Sequence, residues 1–227
     1  YNCWWYSMTE YNVKNVSNWI NRNEGKGYSE SYWVLNPMNM EKFLLKFPQT
    51  PNTGGHWVEK IVSELGSDLG LNMPEIDLVE YNDRKGCISH FFLGENQVLK
   101  EGKEILDVCI TKDKNREKYT IENIIDTLKK YKLENEFIEM LLFDAFVGQQ
   151  DRHEQNWGII INNDVNGVIS FSPIYDNSSA LTRELPMSKV KQMLSDDMYY
   201  SNYINNSKSM IKIDGDEYVY YLLESGE

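Results

Sequence analysis

Asp151-Arg152-His153-Glu154-Gln155-Asn156 decides how this chain reads, because these polar residues separate an apolar helical run ending at Val147-Gly148 from the apolar run Trp157-Gly158-Ile159-Ile160-Ile161. A polar loop leaving one buried element and entering another is a place where functional side chains collect. Beyond it, Asp164 to Gly167 marks a turn, and Val168-Ile169-Ser170-Phe171-Ser172-Pro173-Ile174-Tyr175-Asp176 reads as a second strand. Antiparallel pairing of the two strands carries Asp176 back towards the loop.

Phosphoryl transfer asks little covalent chemistry of a protein. It needs one carboxylate to orient the attacking hydroxyl and oxygen ligands to hold magnesium on the phosphates. Asp151, Asn156 and Asp176 supply that set. Asp151 precedes Asn156 by five positions, the interval between base and metal-binding amide in the protein-kinase catalytic loop. The wording differs, since Gln149-Gln150-Asp151 and Tyr175-Asp176-Asn177 stand where His-Arg-Asp and Asp-Phe-Gly would be. Other readings exist for the same residues. Asp151 alone suits a turn after a helix end, and His153 with Asp151 and Asp176 suits a metal-hydrolase cluster. His56 and His90 have no comparable carboxylate loop around them.

Upstream, Tyr32 to Leu35 and Lys42 to Phe47 are short aromatic or aliphatic runs broken at Asn36-Pro37, a hairpin signal. Lys46 lies inside the apolar strand Phe43-Leu44-Leu45-Lys46-Phe47, where a desolvated ammonium costs several kcal/mol unless it meets an anion such as phosphate or Glu59. From Trp57 the period becomes helical, with Val58, Ile61, Val62, Leu65 and Leu69 on one face before Gly70 and Pro74. Glu59 falls at the margin of that stripe and faces a cleft while the stripe packs on the sheet; Glu64 is the competing helix glutamate. Lys46 also reads as a snorkelling edge-strand residue, and Glu59 as one more solvated carboxylate. Glu75 to Tyr81 alternates, Asn82-Asp83 turns, and Cys87 to Leu93 suits an interior strand.

Past a polar stretch from Gly94 to Gly102 the sequence turns helical. Ile121, Ile124, Ile125 and Leu128 form one stripe, and Phe137, Ile138, Leu141, Leu142 and Ala145 another. These elements predict an α+β, bilobal protein-kinase-like fold. Residues 1–93 form a small β-rich lobe with one helix, and residues 94–227 form a mainly helical lobe carrying the loop and hairpin.

The 227 residues suffice for two small lobes around a cleft, and the 41% hydrophobic content is ordinary. A formal charge of −12, from 35 acidic and 23 basic residues, argues against nucleic acid and anionic membranes as partners. Lys129-Lys130-Tyr131-Lys132 reads as a solvated helix end and the six tryptophans as packing residues. Cys3, Cys87 and Cys109 lack the spacing of a zinc or redox motif and read as free thiols of a reducing cytoplasm. No apolar run reaches the ~20 residues that span a bilayer. The start at Tyr1 reads as a processed or trimmed fragment.

From about Gly27 onward the chain resembles the catalytic region of the HipA-like serine/threonine protein kinases, best known as toxins of toxin-antitoxin pairs. The resemblance rests on the strand-borne lysine of FLLKFP, the helix glutamate of HWVEKIVSELGSDLGL, the loop DRHEQNWG, PIYDNSSAL and TRELP. It implies ATP and magnesium between the lobes, a protein substrate bearing serine or threonine, and an antitoxin protein as a partner. It makes Asp151 the catalytic base, sets Lys46 on the ATP phosphates, assigns Asn156 and Asp176 to magnesium, and puts His153 beside the nucleotide. Phe91 to Leu93, centred on Phe92, becomes the hinge whose backbone reads adenine. GKGYSESYW supplies Gly25 and Gly27 for a phosphate-covering loop without a full glycine fingerprint, and Ser29 and Ser31 are its candidate autophosphorylation sites. Two rival functions stay open, a phosphoinositide or other small-molecule kinase and a catalytically inactive module that binds nucleotide or a partner.

Overall fold

The hairpin signalled by Asn36-Pro37 forms part of the first sheet. In the computed structural model, which describes residues 10–24, 31–48, 53–163, 167, 169–183 and 185–213, Ser31–Leu35 and Lys42–Lys46 pair antiparallel, Ser31 opposite Lys46. With β1 (Lys14–Asn15) and β2 (Ile20–Glu24) before them, they are β3 and β4. Helix α1 (Gly55–Asp68) follows, then β5 (Ile76–Tyr81) and β6 (Arg84–His90). The six strands form one sheet in the order β1-β5-β6-β4-β3-β2, with β1 parallel to β5 and every other neighbouring pair antiparallel.

Expected alternation explains one face of this sheet. Val34, Phe43, Leu45, Val79 and Ile88 point together with Val16 and Phe47 into a small apolar core, flanked by Trp19, Tyr32 and Tyr81. The opposite face carries Lys46 and its cross-strand neighbours Ser31 and Cys87. Strand β6 differs from expectation at both ends. It begins at Arg84, because cross-strand pairing to β5 extends through its charged start, and it stops at His90, leaving Phe91 to Leu93 outside the strand.

The chain then forms β7 (Gln97–Glu101), α2 (Gly102–Ile105), α3 (Val108–Thr111), α4 (Ile121–Leu128), α5 (Glu134–Val147), β8 (Gly158–Asn162), β9 (Ile169–Phe171), α6 (Met187–Met193) and α7 (Asp197–Asn206). The polar stretch before Gly102 thus contains a strand, and β7-β8-β9 make a second, antiparallel sheet. Strand β9 ends at Phe171, so the run to Asp176 is irregular backbone rather than strand.

The large core belongs to α4 and α5, with Ile124, Leu128, Phe137, Met140, Leu141 and Val147 packed on Trp157, Ile159, Phe171 and Ile211. Val58 and Val62 of α1 join this core, so the helix bridges it to the first sheet. Leu69 lies beyond the helix end and is exposed. On α5 the expected stripe is half wrong. Ile138 and Leu142 face solvent, while Met140, Asp144 and Val147 complete the buried face with Phe137 and Leu141. Among the described residues no helix is long and apolar enough to cross a membrane.

Candidate active site

Helix α5 must stop abruptly for the loop to turn back along it, and Gly148 does this in the left-handed region at φ +68°. Asp151, Arg152 and His153 follow at once. The loop is knitted by its own backbone, with His153 N–H donating to Asp151 O at 3.0 Å and Asn156 N–H to His153 O at 2.9 Å. The Asn156 side chain closes the turn, its Nδ2 donating to Asp151 O at 2.8 Å. That bond commits the amide nitrogen and leaves Oδ1 as an oxygen donor for a cation.

On the first sheet, Lys46 stands at the end of β4, where its Nζ lies 2.9 Å from Glu59 Oε1 and 3.0 Å from Asp176 Oδ1. Burial lowers the lysine's proton affinity, but the charges of Asp176 and Glu59 outweigh it and hold the ammonium well above its ordinary pKa. Glu59 is buried, and its second oxygen accepts the Asn177 N–H at 3.1 Å. One carboxylate thus couples α1 to both the strand lysine and the segment after β9.

Asp176 adopts φ +58°, a left-handed conformation that aspartate tolerates better than most side chains. Burial pushes its carboxyl up, while Lys46 first and then Arg152 and His153 pull it below the usual aspartate range. Asp151 moves the other way. Burial and the negative charge of Asp176 raise it, against His153, Arg183 and Arg116. Two neighbouring carboxyls driven apart in this manner suit an acid–base group beside a permanently ionised one. Among the described residues the Asp151 carboxylate has no hydrogen-bond partner.

The frame beneath these groups was not visible in the sequence. Arg152, 1% exposed, donates to both Asp144 oxygens at 2.8 and 2.7 Å, to Asn156 O at 2.7 Å, to Tyr175 O at 2.6 Å and to Asn177 Oδ1 at 2.7 Å. All five of its N–H groups are used. Burial raises the Asp144 carboxyl against the guanidinium's pull. An aspartate inside the apolar stripe of α5, eight positions before an arginine, was the available signal.

The remaining expected residues fall as follows. Phe92 stacks on Tyr175 with centroids 6.0 Å apart, at the exit of β6. His153 Nδ1 accepts the Gln155 N–H at 3.2 Å. Ser31 is buried at the start of β3, whereas Ser29, Gly25 and Gly27 lie outside the described residues. The hydrolase arrangement does not form, since among the described residues Asp151, His153 and Asp176 do not bring three ligand atoms within 4.8 Å of one another. His90 corrects a different expectation. It does sit between carboxylates, 3.0 Å from Asp77 and 3.6 Å from Glu75, because strand pairing of β5 and β6 places them together. Asp77 is also paired to Lys14 at 2.6 Å.

A carboxylate and an amide oxygen are hard donors of the kind magnesium takes, and half-exposed Asp176 offers a second oxygen besides the one on Lys46. The residues therefore fit the expected metal.

A lysine–glutamate pair facing an aspartate–asparagine loop on a small sheet and a helical body defines an α+β protein of the kinase-like kind. The chain belongs to the HipA-like C-terminal domain family, whose profile matches residues 15–214. It is 22% identical to the serine/threonine-protein kinase CtkA of Helicobacter pylori over 221 residues, covering 89% of this chain and 66% of that protein. The crystal structure of the H. pylori proinflammatory kinase CtkA superposes with TM-score 0.78 at 20% identity, covering 91% of this chain and 75% of that one. HipA of Shewanella oneidensis MR-1, solved in complex with HipB and its operator DNA, gives TM-score 0.53 at 12% identity, over 89% of this chain and 50% of that one.

Proposed function

We propose that this chain is an ATP-dependent serine/threonine protein kinase of the HipA-like type, working in the cytoplasm. The observation that carries the reading is the Lys46–Glu59–Asp176 ion triad set against the Asp151–Asn156 loop. A partly buried lysine held between two carboxylates, one of them fully buried, is costly to build, and phosphate binding gives it a purpose that folding alone does not.

In this reading the cleft lies between lobes of residues 1–93 and 94–227, and the backbone around Phe92 receives adenine. Asn156 Oδ1 and Asp176 would hold magnesium, which would supply charge neutralisation on the phosphates. Lys46 turns its ammonium to the same phosphates, kept in place by Glu59. His153 lies beside the nucleotide. Asp151, with its carboxylate unengaged and its proton affinity raised, orients a substrate hydroxyl and accepts its proton as attack proceeds. The substrate is a protein bearing serine or threonine, with Ser29 and Ser31 as sites on the chain itself. An antitoxin protein is the partner the HipA–HipB assembly suggests.

The test is incubation with γ-labelled ATP and magnesium, with and without cell lysate, followed by mass spectrometry of labelled sites. Transfer to protein that disappears in Asp151→Asn, with ATP affinity retained, supports the reading. Asp176→Ala should lose magnesium-dependent nucleotide binding as well as turnover, so equal ATP affinity in the two variants overturns this division of roles. Nucleotide binding without label would point to an inactive module, and label confined to a lipid or metabolite to a small-molecule kinase.

A further inference from the structure

Gln149 is fully buried, and its side-chain amide spans the backbones of Asp151 and Asp176. Its Oε1 accepts the backbone N–H of Asp151 at 3.2 Å, and its Nε2 donates to the backbone carbonyl of Asp176 at 2.9 Å. Its own N–H closes the end of α5 on Asp144 O at 2.8 Å. The residue is therefore rigidly seated, and one planar amide sets the distance between the backbone of the proposed base and that of the proposed metal ligand.

We infer that Gln149 is a positioning residue for phosphoryl transfer, holding Asp151 and Asp176 in register through their main chains. The inference rests on the kinase reading above. Its chemistry is selective, because the position needs a donor towards Asp176 and an acceptor towards Asp151 at the same time. Only an amide of this length does both. Glutamate would set a carboxylate oxygen against the Asp176 carbonyl, methionine offers neither group, and asparagine is about 1.5 Å short. Arg152 cannot replace it, since its hydrogen bonds in this segment go to the Tyr175 carbonyl at 2.6 Å and to Asn177 Oδ1 at 2.7 Å, not to the Asp176 carbonyl. The αL backbone of Asp176 makes the support necessary, because a strained conformation persists only where surrounding bonds hold it.

The experiment compares wild type, Gln149→Met and Gln149→Glu for thermal unfolding, kcat, KM for ATP, and the magnesium concentration that half-saturates nucleotide binding. Outer partners of metal ligands typically contribute about 10- to 100-fold in metal affinity or activity. The expected result is a fall of about that size in kcat with KM for ATP within about threefold, and a raised magnesium midpoint, in a folded protein. Gln149→Met is the shape-preserving variant that keeps the test valid if the glutamate form unfolds. Wild-type kcat and magnesium midpoint in Gln149→Met would overturn the inference, as would an activity loss that merely tracks loss of folded protein with an unshifted midpoint. Absence of turnover in the wild-type chain would instead remove the kinase reading, and the magnesium midpoint of nucleotide binding would still decide the role of Gln149.

Discussion

Replacing Arg152 by methionine removes the cation around which the loop, α5 and the segment after β9 are assembled. The Asp144 carboxylate, 4% exposed, would be left without its partner. Breaking a buried pair in this way costs about 3–5 kcal/mol. Asn156 O, Tyr175 O and Asn177 Oδ1 would each lose a donor as well, at about 1–3 kcal/mol apiece if they stay dry. These losses share relaxation, and a carboxyl so deeply buried takes up a proton instead of remaining charged, which caps the penalty. We expect a total of about 4–6 kcal/mol, a large share of the roughly 5–15 kcal/mol that stabilises a domain. Urea unfolding followed by tryptophan fluorescence and circular dichroism would measure it, alongside Asp144→Leu and the double variant. The double variant should regain most of the stability, giving a coupling of at least about 2 kcal/mol, because two apolar groups of similar volume carry no desolvation cost. It should nevertheless stay inactive, since the loop carbonyls still lack their donor. A cost under about 1 kcal/mol for Arg152→Met, or strictly additive single variants, would refute the assignment of Arg152 as the frame of the site.

Glu59→Gln should leave the melting temperature within a few degrees yet cut kcat by about tenfold or more, because Lys46 loses a charged partner; unchanged initial rates would count against the triad. Gly158→Ala introduces a Cβ 2.4 Å from Lys100 O, so β7 must move off β8; a loss of about 1–3 kcal/mol is expected in urea unfolding. Asp77 supplies a pH test. Burial raises its carboxyl, but His90 and then Lys14 hold it below the usual aspartate range. Its contribution is therefore present above the ordinary aspartate pKa and is lost as pH falls through the folded value. Asp77→Asn should lower stability by about 1 kcal/mol near neutrality, with wild type and variant converging in acid; a gap that persists in acid would contradict the sign.

What the sequence disclosed depended on how local the physics was. Asp151 and Asn156 were legible because one loop carries both, and Lys46 because a charge inside Phe43 to Phe47 needs a partner. Helix α5 was misread because Ile138 and Leu142 are as apolar as Phe137 and Leu141, so periodicity could not choose a face. The deciding residue, Asp144, looks polar until Arg152 neutralises it. Strand β7 was missed because Gln97-Val98-Leu99-Lys100-Glu101 has too little apolar content to announce itself, and its pairing with β8 is settled by tertiary contact. Gln149 resembled any loop glutamine, since nothing in one dimension marks an amide as spanning two aspartates.

The ammonium of Lys46 is already neutralised by two carboxylates before any ligand arrives. If the proposed kinase reading holds, a phosphate reaching Lys46 takes part in an exchange of counter-ions rather than filling an empty positive hole. Whatever attraction it gains from the lysine is offset by releasing Asp176, which then needs a new cation of its own. On that reading, anion and divalent cation would enter as complementary halves of one swap. Either alone should bind weakly, and each should sharpen the affinity for the other.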